Sequence, residues 1–254
     1  MTLLATPAAA GLADRIGATF ALMSGDFIKA FQPIEGMVVA VDGEVIFLDR
    51  GEAAGVQVGQ EFTIFRRGEA FRHPLTGKPL GRYEDVLGWA QVGRVHAEFA
   101  EAAYVPRAGQ PAPEAEDGAR ISRGRLKVAI TPVLDLTAAQ ADVRRVPFLF
   151  ATLLERSKRF QVVDPLAVGD MFAGGAVRIE EVLARPERAM RAAKNLEVAG
   201  WLVPMLIERR GVLQLDVTWI SAITGTALFS RRQPLVPESG AEEQRFPWEP
   251  RIED

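Results

Sequence analysis

A chain of 254 residues with 48% hydrophobic content can fill two modest cores, and its length points to two small domains. Its 30 Lys and Arg nearly cancel its 33 Asp and Glu, so no whole-chain field gathers a polyphosphate and nucleic acid is not an expected partner. The lack of cysteine excludes disulfides, thiolate zinc sites and cysteine nucleophiles and speaks against a lipid anchor, and no apolar run approaches the roughly 20 residues of a spanning helix.

Residues 1–10, MTLLATPAAA, end in Ala8, Ala9 and Ala10, the small-residue pattern that signal peptidase accepts. They lack a basic start and a full apolar stretch, so they read as the remnant of an export signal, which places the chain in the periplasm; the plain alternative is a frayed Ala-rich terminus. Over 11–35 an N-terminal helix is expected. Leu12, Ile16, Phe20, Met23, Phe27, Ile28 and Phe31 recur every three or four residues until Pro33 ends the run, although Gly17 and Gly25 weaken it.

From 36 to 105 the texture is that of a small β-barrel domain, with β-rich runs at 36–41, 44–49, 61–66 and 89–99. Asp42-Gly43 marks a tight hairpin, whose turn needs positive φ. Four or five short strands cannot make a large sandwich, so a closed or half-closed barrel is the economical solution. Residues 106–122, rich in Pro, Ala and acid, read as a linker.

An α/β domain is expected over 123–236: a strand at 126–134, a helix at 146–159, a strand at 160–163 and a helical stretch at 179–199 interrupted at Pro186. Strands at 201–208, 213–220 and 226–231 follow, with turns at Arg209-Arg210-Gly211 and Thr224-Gly225. That order describes a mixed sheet with two main helices, and residues 237–254 read as a loose tail. The fold class is therefore α+β, comprising an N-terminal helix, a small barrel and an α/β domain.

Two stretches resemble known families. GVQVGQEFTIFRRGE (55–69), HPLTGKPLG (73–81) and WAQVGRVHAEF (89–99), with Gly36-Met37-Val38 and Val45-Ile46-Phe47-Leu48 before them, resemble the C-terminal domain of flagellar assembly protein T, which implies a barrel of the SH3 type. VAITPVLDLT, LLERSKRFQVVD and LQLDVTWISAITGTALFSRR, between 126 and 235, resemble the domain shared by the curli secretion channel subunit and the amino-terminal part of TolB. Pro132, Asp135, Phe160, Val162, Val163, Asp164, Thr224 and Gly225 carry that second likeness, which implies an envelope assembly, docking or secretion part without catalytic residues. Between Pro165 and Ile179 there is no room for the long hairpins of a membrane pore, so a pore is not expected.

Chemistry-bearing residues are sparse. His73 and His96 are the only histidines, without a second ligand at metal spacing, so packing or surface roles are expected and no metal or cofactor. Thr76-Gly77-Lys78 lacks the rest of a phosphate loop, with Arg72 and Pro79 where Gly and Ser or Thr belong, and reads as a polar turn. Asp135 and Asp164 end apolar strands, where α/β sheets often bind ligands; they read as turn and cap residues, with an acid–base pair as the alternative. The four tryptophans are too scattered for a stacking platform.

Arg185, Arg188, Arg191 and Lys194 fall three residues apart along one expected helix, as a surface for an acidic partner would, though most such stripes are merely solvated. The sequence thus points to a non-enzymatic periplasmic scaffold. Its expected partners are other envelope proteins, basal-body or outer-membrane components among them, and copies of itself in a homo-oligomer. The competing reading is a ligand-binding or hydrolytic protein with its site near Asp135 and Asp164.

Overall fold

The computed structural model describes residues 11–138, 142–175 and 177–237. The expected export-signal remnant at 1–10, and all but the first residue of the tail at 237–254, lie outside the described residues. The described residues form an α+β structure, divided into a unit of Phe27–Leu126 and a unit that joins the N-terminal residues through Asp26 to the chain from Lys127 onward. No helix among the described residues is long and apolar enough to cross a membrane.

The first unit is a closed antiparallel barrel of six strands: β1 (Ile34–Asp42), β2 (Val45–Leu48), β3 (Glu61–Arg72), β4 (Pro79–Val95), β5 (Ala100–Pro106) and β6 (Gly118–Ile121), in the order β1-β2-β5-β4-β3-β6. Side chains alternate across each strand, so Val38, Ile46, Leu48, Phe62, Ile64, Leu87 and Val92 point inward. Ala90, Ala100, Ala102 and Ala119 fill the interior between these large groups, a size alternation that a narrow barrel requires.

The expected linker at 106–122 is corrected here. Its last residues are β6, which pairs with β1 from Ile34↔Ile121 to Met37↔Gly118 and with β3 from Thr63↔Arg120 to Phe65↔Gly118, closing the barrel. Four residues of Gly and Ala with single Arg and Ile carry no β signature, yet only Gly fits at position 118, where a Cβ would stand 2.3 Å from the Phe65 ring. Asp117, buried beside it, accepts from Arg66 Nε and Nη2, each at 2.8 Å, and from the Glu114 N–H at 2.8 Å. The strand expected over 89–99 is also shorter at its end: β4 stops at Val95, and a turn closed by His96 N–H to Phe99 carbonyl at 2.8 Å leads into β5.

The helix α1 (Leu12–Ala30) matches its periodicity. Its C-terminal carbonyl at Ala30 accepts from the Gln60 amide at 2.7 Å in the barrel unit. In the other unit Phe20 of the same helix stacks on Phe150 with centroids 3.8 Å apart, and a Cβ on Gly17 would come within 2.9 Å of Leu149, so the mid-helix glycine marks a close approach.

The second unit holds a mixed sheet ordered β12-β11-β10-β7-β9, with β7 (Leu126–Ile130), β9 (Phe160–Val162), β10 (Gly200–Arg209), β11 (Val212–Ser221) and β12 (Ala227–Pro234). The single strand expected over 126–134 is interrupted. Pro132 has no N–H for the ladder, and β8 (Leu134–Asp135) resumes parallel pairing with β10 at Met205 and Leu206. β10 and β11 pair from Gly200↔Ser221 to Arg209↔Val212, around Arg210 and Gly211 at φ 54° and 74°, the positive pair that a tight hairpin demands.

The first expected helix is α2 (Val146–Arg156), the stretch expected at 179–199 is divided into α4 (Ile179–Ala184) and α5 (Pro186–Leu196), and α3 (Pro165–Ala173) adds to them. Ala129, Val168, Val182, Ala189, Ala193, Trp201 and Ile220 form the core beneath α3 to α5.

Candidate partner-binding surface

The helical stretch expected at 179–199 breaks at Arg185, because the residue before a proline is pushed out of the helical region; Arg185 is extended at φ −131°, ψ 92°. The four-residue cationic stripe is therefore corrected to three. Arg188, Arg191 and Lys194 lie on α5, whereas Arg185 sits between helices and meets Glu181 of α4 at 3.6 Å.

Helix α5 is pinned from beneath and at its start. Ala189, Ala192 and Ala193 bring it close to the sheet, and the Trp201 indole N–H donates to the Ala189 carbonyl at 3.0 Å. The tip of the β11–β12 turn packs against its first residue: Gly225 has φ +68°, and a Cβ there would lie 2.2 Å from the Pro186 carbonyl oxygen. Phe172 of α3 meets Trp201 edge-on at 6.0 Å, which sets α3 beside α5.

Between these helices lies a cavity of about 180 Å³ lined by Met171, Val177, Arg188, Arg191, Ala192 and Asn195. Its lining carries two cations and no carboxylate. Glu181, the nearby acid, is already committed. The Arg178 N–H holds its carboxyl below the usual carboxylate range, against the opposing effect of desolvation, with the charges of Arg188, Arg185 and Arg178 adding to the effect. The cationic part of this surface was legible, while Met171 and Val177 were not. A signal existed in Asp164-Pro165, an N-cap followed by proline at the first helical position, with Val168, Met171 and Phe172 at helical spacing after it.

The other chemistry-bearing residues are engaged locally. Asp164 caps α3 by accepting the Leu166 N–H at 3.0 Å, and Asp135 accepts the Thr137 N–H and hydroxyl at 2.9 and 2.7 Å. Neither lines the cavity. His96 Nε2 meets Glu101 at 2.7 Å with its ring stacked on Phe99, and His73 Nδ1 accepts the Leu75 and Thr76 N–H groups in a turn. Among the described residues no group of three or more His, Asp or Glu is placed to hold a metal ion.

No protein-family model matches the chain, and no curated protein matches it. Among solved structures it is similar to the LpoB C-terminal domain from Escherichia coli, at 12% identity and a TM-score of 0.37, over 44% of this chain and 83% of that one. It is similar to lipoprotein GNA1162 from Neisseria meningitidis at 13% identity and a TM-score of 0.37, over 46% and 85%. A variant of PelC from Paraburkholderia phytofirmans, solved as a dodecamer, matches at 16% identity and a TM-score of 0.29, over 45% and 74%. Identities and TM-scores of this size transfer no function to this chain.

Proposed function

We propose that this chain works by binding another protein of the bacterial cell envelope in the α3–α5 groove, without making or breaking bonds. The observation that carries the reading is a side-chain-sized apolar cavity with Arg188 and Arg191 in its lining and no acid among the lining residues. Its volume falls short of the roughly 300 Å³ at which small-molecule sites begin, which favours a protein side chain over a cofactor. The matching partner presents an apolar side chain within a few residues of a carboxylate, which an arginine fork grips through two parallel hydrogen bonds. The small-residue run Ala8, Ala9 and Ala10, of the kind that signal peptidase accepts, supports the envelope as the compartment. An assembly or scaffold role in a basal body or another outer-membrane-associated complex, with self-association, is the extension of the same reading.

The test places a photo-crosslinking residue at Asn195, which is exposed and lines the cavity. Irradiated cells are then fractionated. A discrete adduct in the envelope fraction, weakened on the order of tenfold by the double variant Arg188→Glu and Arg191→Glu, is the expected result, because like charges across an interface are strongly unfavourable. An adduct indifferent to that charge reversal, or a chain that yields no adduct and stays in the cytoplasm, overturns the reading.

A further inference from the structure

The β3–β4 hairpin extends far beyond the barrel that it helps to build. Strand β3 last pairs with β6 at Phe65, and β4 first pairs with β5 at Gly88, so the strands over 66–86 pair only with each other, tied at their base by Arg66 to Asp117 at 2.8 Å and by Glu84 to Arg120 at 2.7 Å. Six residues separate Arg66 from Arg72, which at about 3.4 Å per residue makes an arm of roughly 20 Å. Its tip is built, not frayed. His73 N–H donates to the Lys78 carbonyl and Gly77 N–H to the His73 carbonyl, each at 2.9 Å, and Gly77 takes φ +64°.

This tip is apolar and cationic at once. Leu75 is 90% exposed, Tyr83 63%, Leu80 55% and Phe71 37%. Phe71 lies over Gly81 and against the Tyr83 ring at 5.0 Å, while Leu80 falls at the register shift between Phe71 and Arg72 and stands exposed there. The tip thus exposes four large apolar side chains. Between Ala70 and Tyr83 stand Arg72, Lys78 and Arg82 and no acidic residue, in a chain whose net charge is −3.

We propose that the β3–β4 arm is a wedge that seats in the headgroup region of an anionic lipid bilayer. The charge of the tip complements anionic headgroups: arginine and lysine stems reach back to the phosphates while the exposed apolar tips enter the acyl boundary. Pairing with a second copy along the strand edges is opposed by register shifts at Arg67/Ala70 and Phe71/Arg72 and by the charges along the arm. The inference is independent of the α5 groove.

The chain contains no cysteine, so Leu75→Cys introduces a single thiol for a polarity-sensitive fluorophore. The labelled full-length chain is mixed with vesicles of phosphatidylglycerol and phosphatidylcholine, and with pure phosphatidylcholine. A blue shift confined to the anionic vesicles and suppressed by salt is expected. Each cation near such a surface is worth about fivefold in partitioning, so Arg72→Ala, Lys78→Ala and Arg82→Ala together lower it on the order of a hundredfold. In the unlabelled chain Leu75→Asp with Leu80→Asp abolishes co-sedimentation, and all of these side chains are exposed, so circular dichroism remains unchanged. Absence of any shift, an equal shift on neutral vesicles, or binding indifferent to the arm substitutions overturns the proposal, and an unshifted probe that responds to an acidic protein instead reassigns the arm to protein docking.

Discussion

Replacing Gly225 by alanine tests whether the β11–β12 turn positions α5. Two penalties act there. An L-residue at φ +68° costs about 1–2 kcal/mol, offset by about 0.4–1 kcal/mol from a stiffer unfolded chain. The new Cβ would also stand 2.2 Å from the Pro186 carbonyl oxygen, and relieving such overpacking against backbone costs about 1–3 kcal/mol more. Gly211→Ala is the control: its φ is +74° but nothing lies within 4 Å of the added methyl, so only the first penalty applies. Urea unfolding followed by tryptophan fluorescence, in which Trp201 and Trp219 report the core of this unit, should place Gly225→Ala about 2 kcal/mol below Gly211→Ala at equal m-values. The crosslink from Asn195 should weaken in the first variant and not in the second. Equal destabilisation by the two substitutions, within about 0.5 kcal/mol, refutes the idea that this turn holds the start of α5.

The barrel offers further tests. Asp117→Asn leaves the Arg66 guanidinium without its bidentate carboxylate; with Asp117 buried but Arg66 about a third exposed, a loss of about 2–3 kcal/mol in denaturant is expected, below that for a fully buried pair. Arg66→Lys should not restore it, since an ammonium cannot make both bonds. The Glu101 carboxyl is held below its usual value of 4.5, first by its hydrogen bond to His96, against the opposing effect of desolvation, and then by Arg94. A depressed carboxylate pKa contributes stability above pH 4.5 that disappears as pH falls below it, so acid denaturation monitored at Trp89 should be shallower in Glu101→Gln over that window. Trp201→Phe removes the indole donor to the Ala189 carbonyl and should cost about 1–2 kcal/mol with lowered Asn195 crosslinking.

The elements legible in the sequence are those whose pattern repeats locally. Helix α1 holds six of the seven periodic apolar positions, and the Arg210-Gly211 turn announced the β10–β11 hairpin through residues that accept positive φ. Strand β6 was hidden because its signal belongs to its neighbours. Gly118 is chosen by the Phe65 ring, and Ala119 by the width of a barrel that six strands close. The break between α4 and α5 was marked by Pro186, but its consequence for Arg185 requires the backbone rule for the residue before proline.

The two surfaces proposed for binding were hidden for a related reason. Apolar periodicity reports burial within the chain, and the arm has no interior: after Arg66 the strand has no core-facing side, so RRGEAFR lacks alternation and the expected strand stopped there. Thr76-Gly77-Lys78 was rightly a turn, yet nothing in three residues states that Leu75 beside them is 90% exposed. The groove lost its floor in the same way. Met171 and Val177 come from an unread helix and the segment after it, and are neither fully buried nor exposed, so no single periodicity claims them. Apolar residues outside a core lack the spacing that an internal neighbour imposes, and topology is needed to distinguish them from a core.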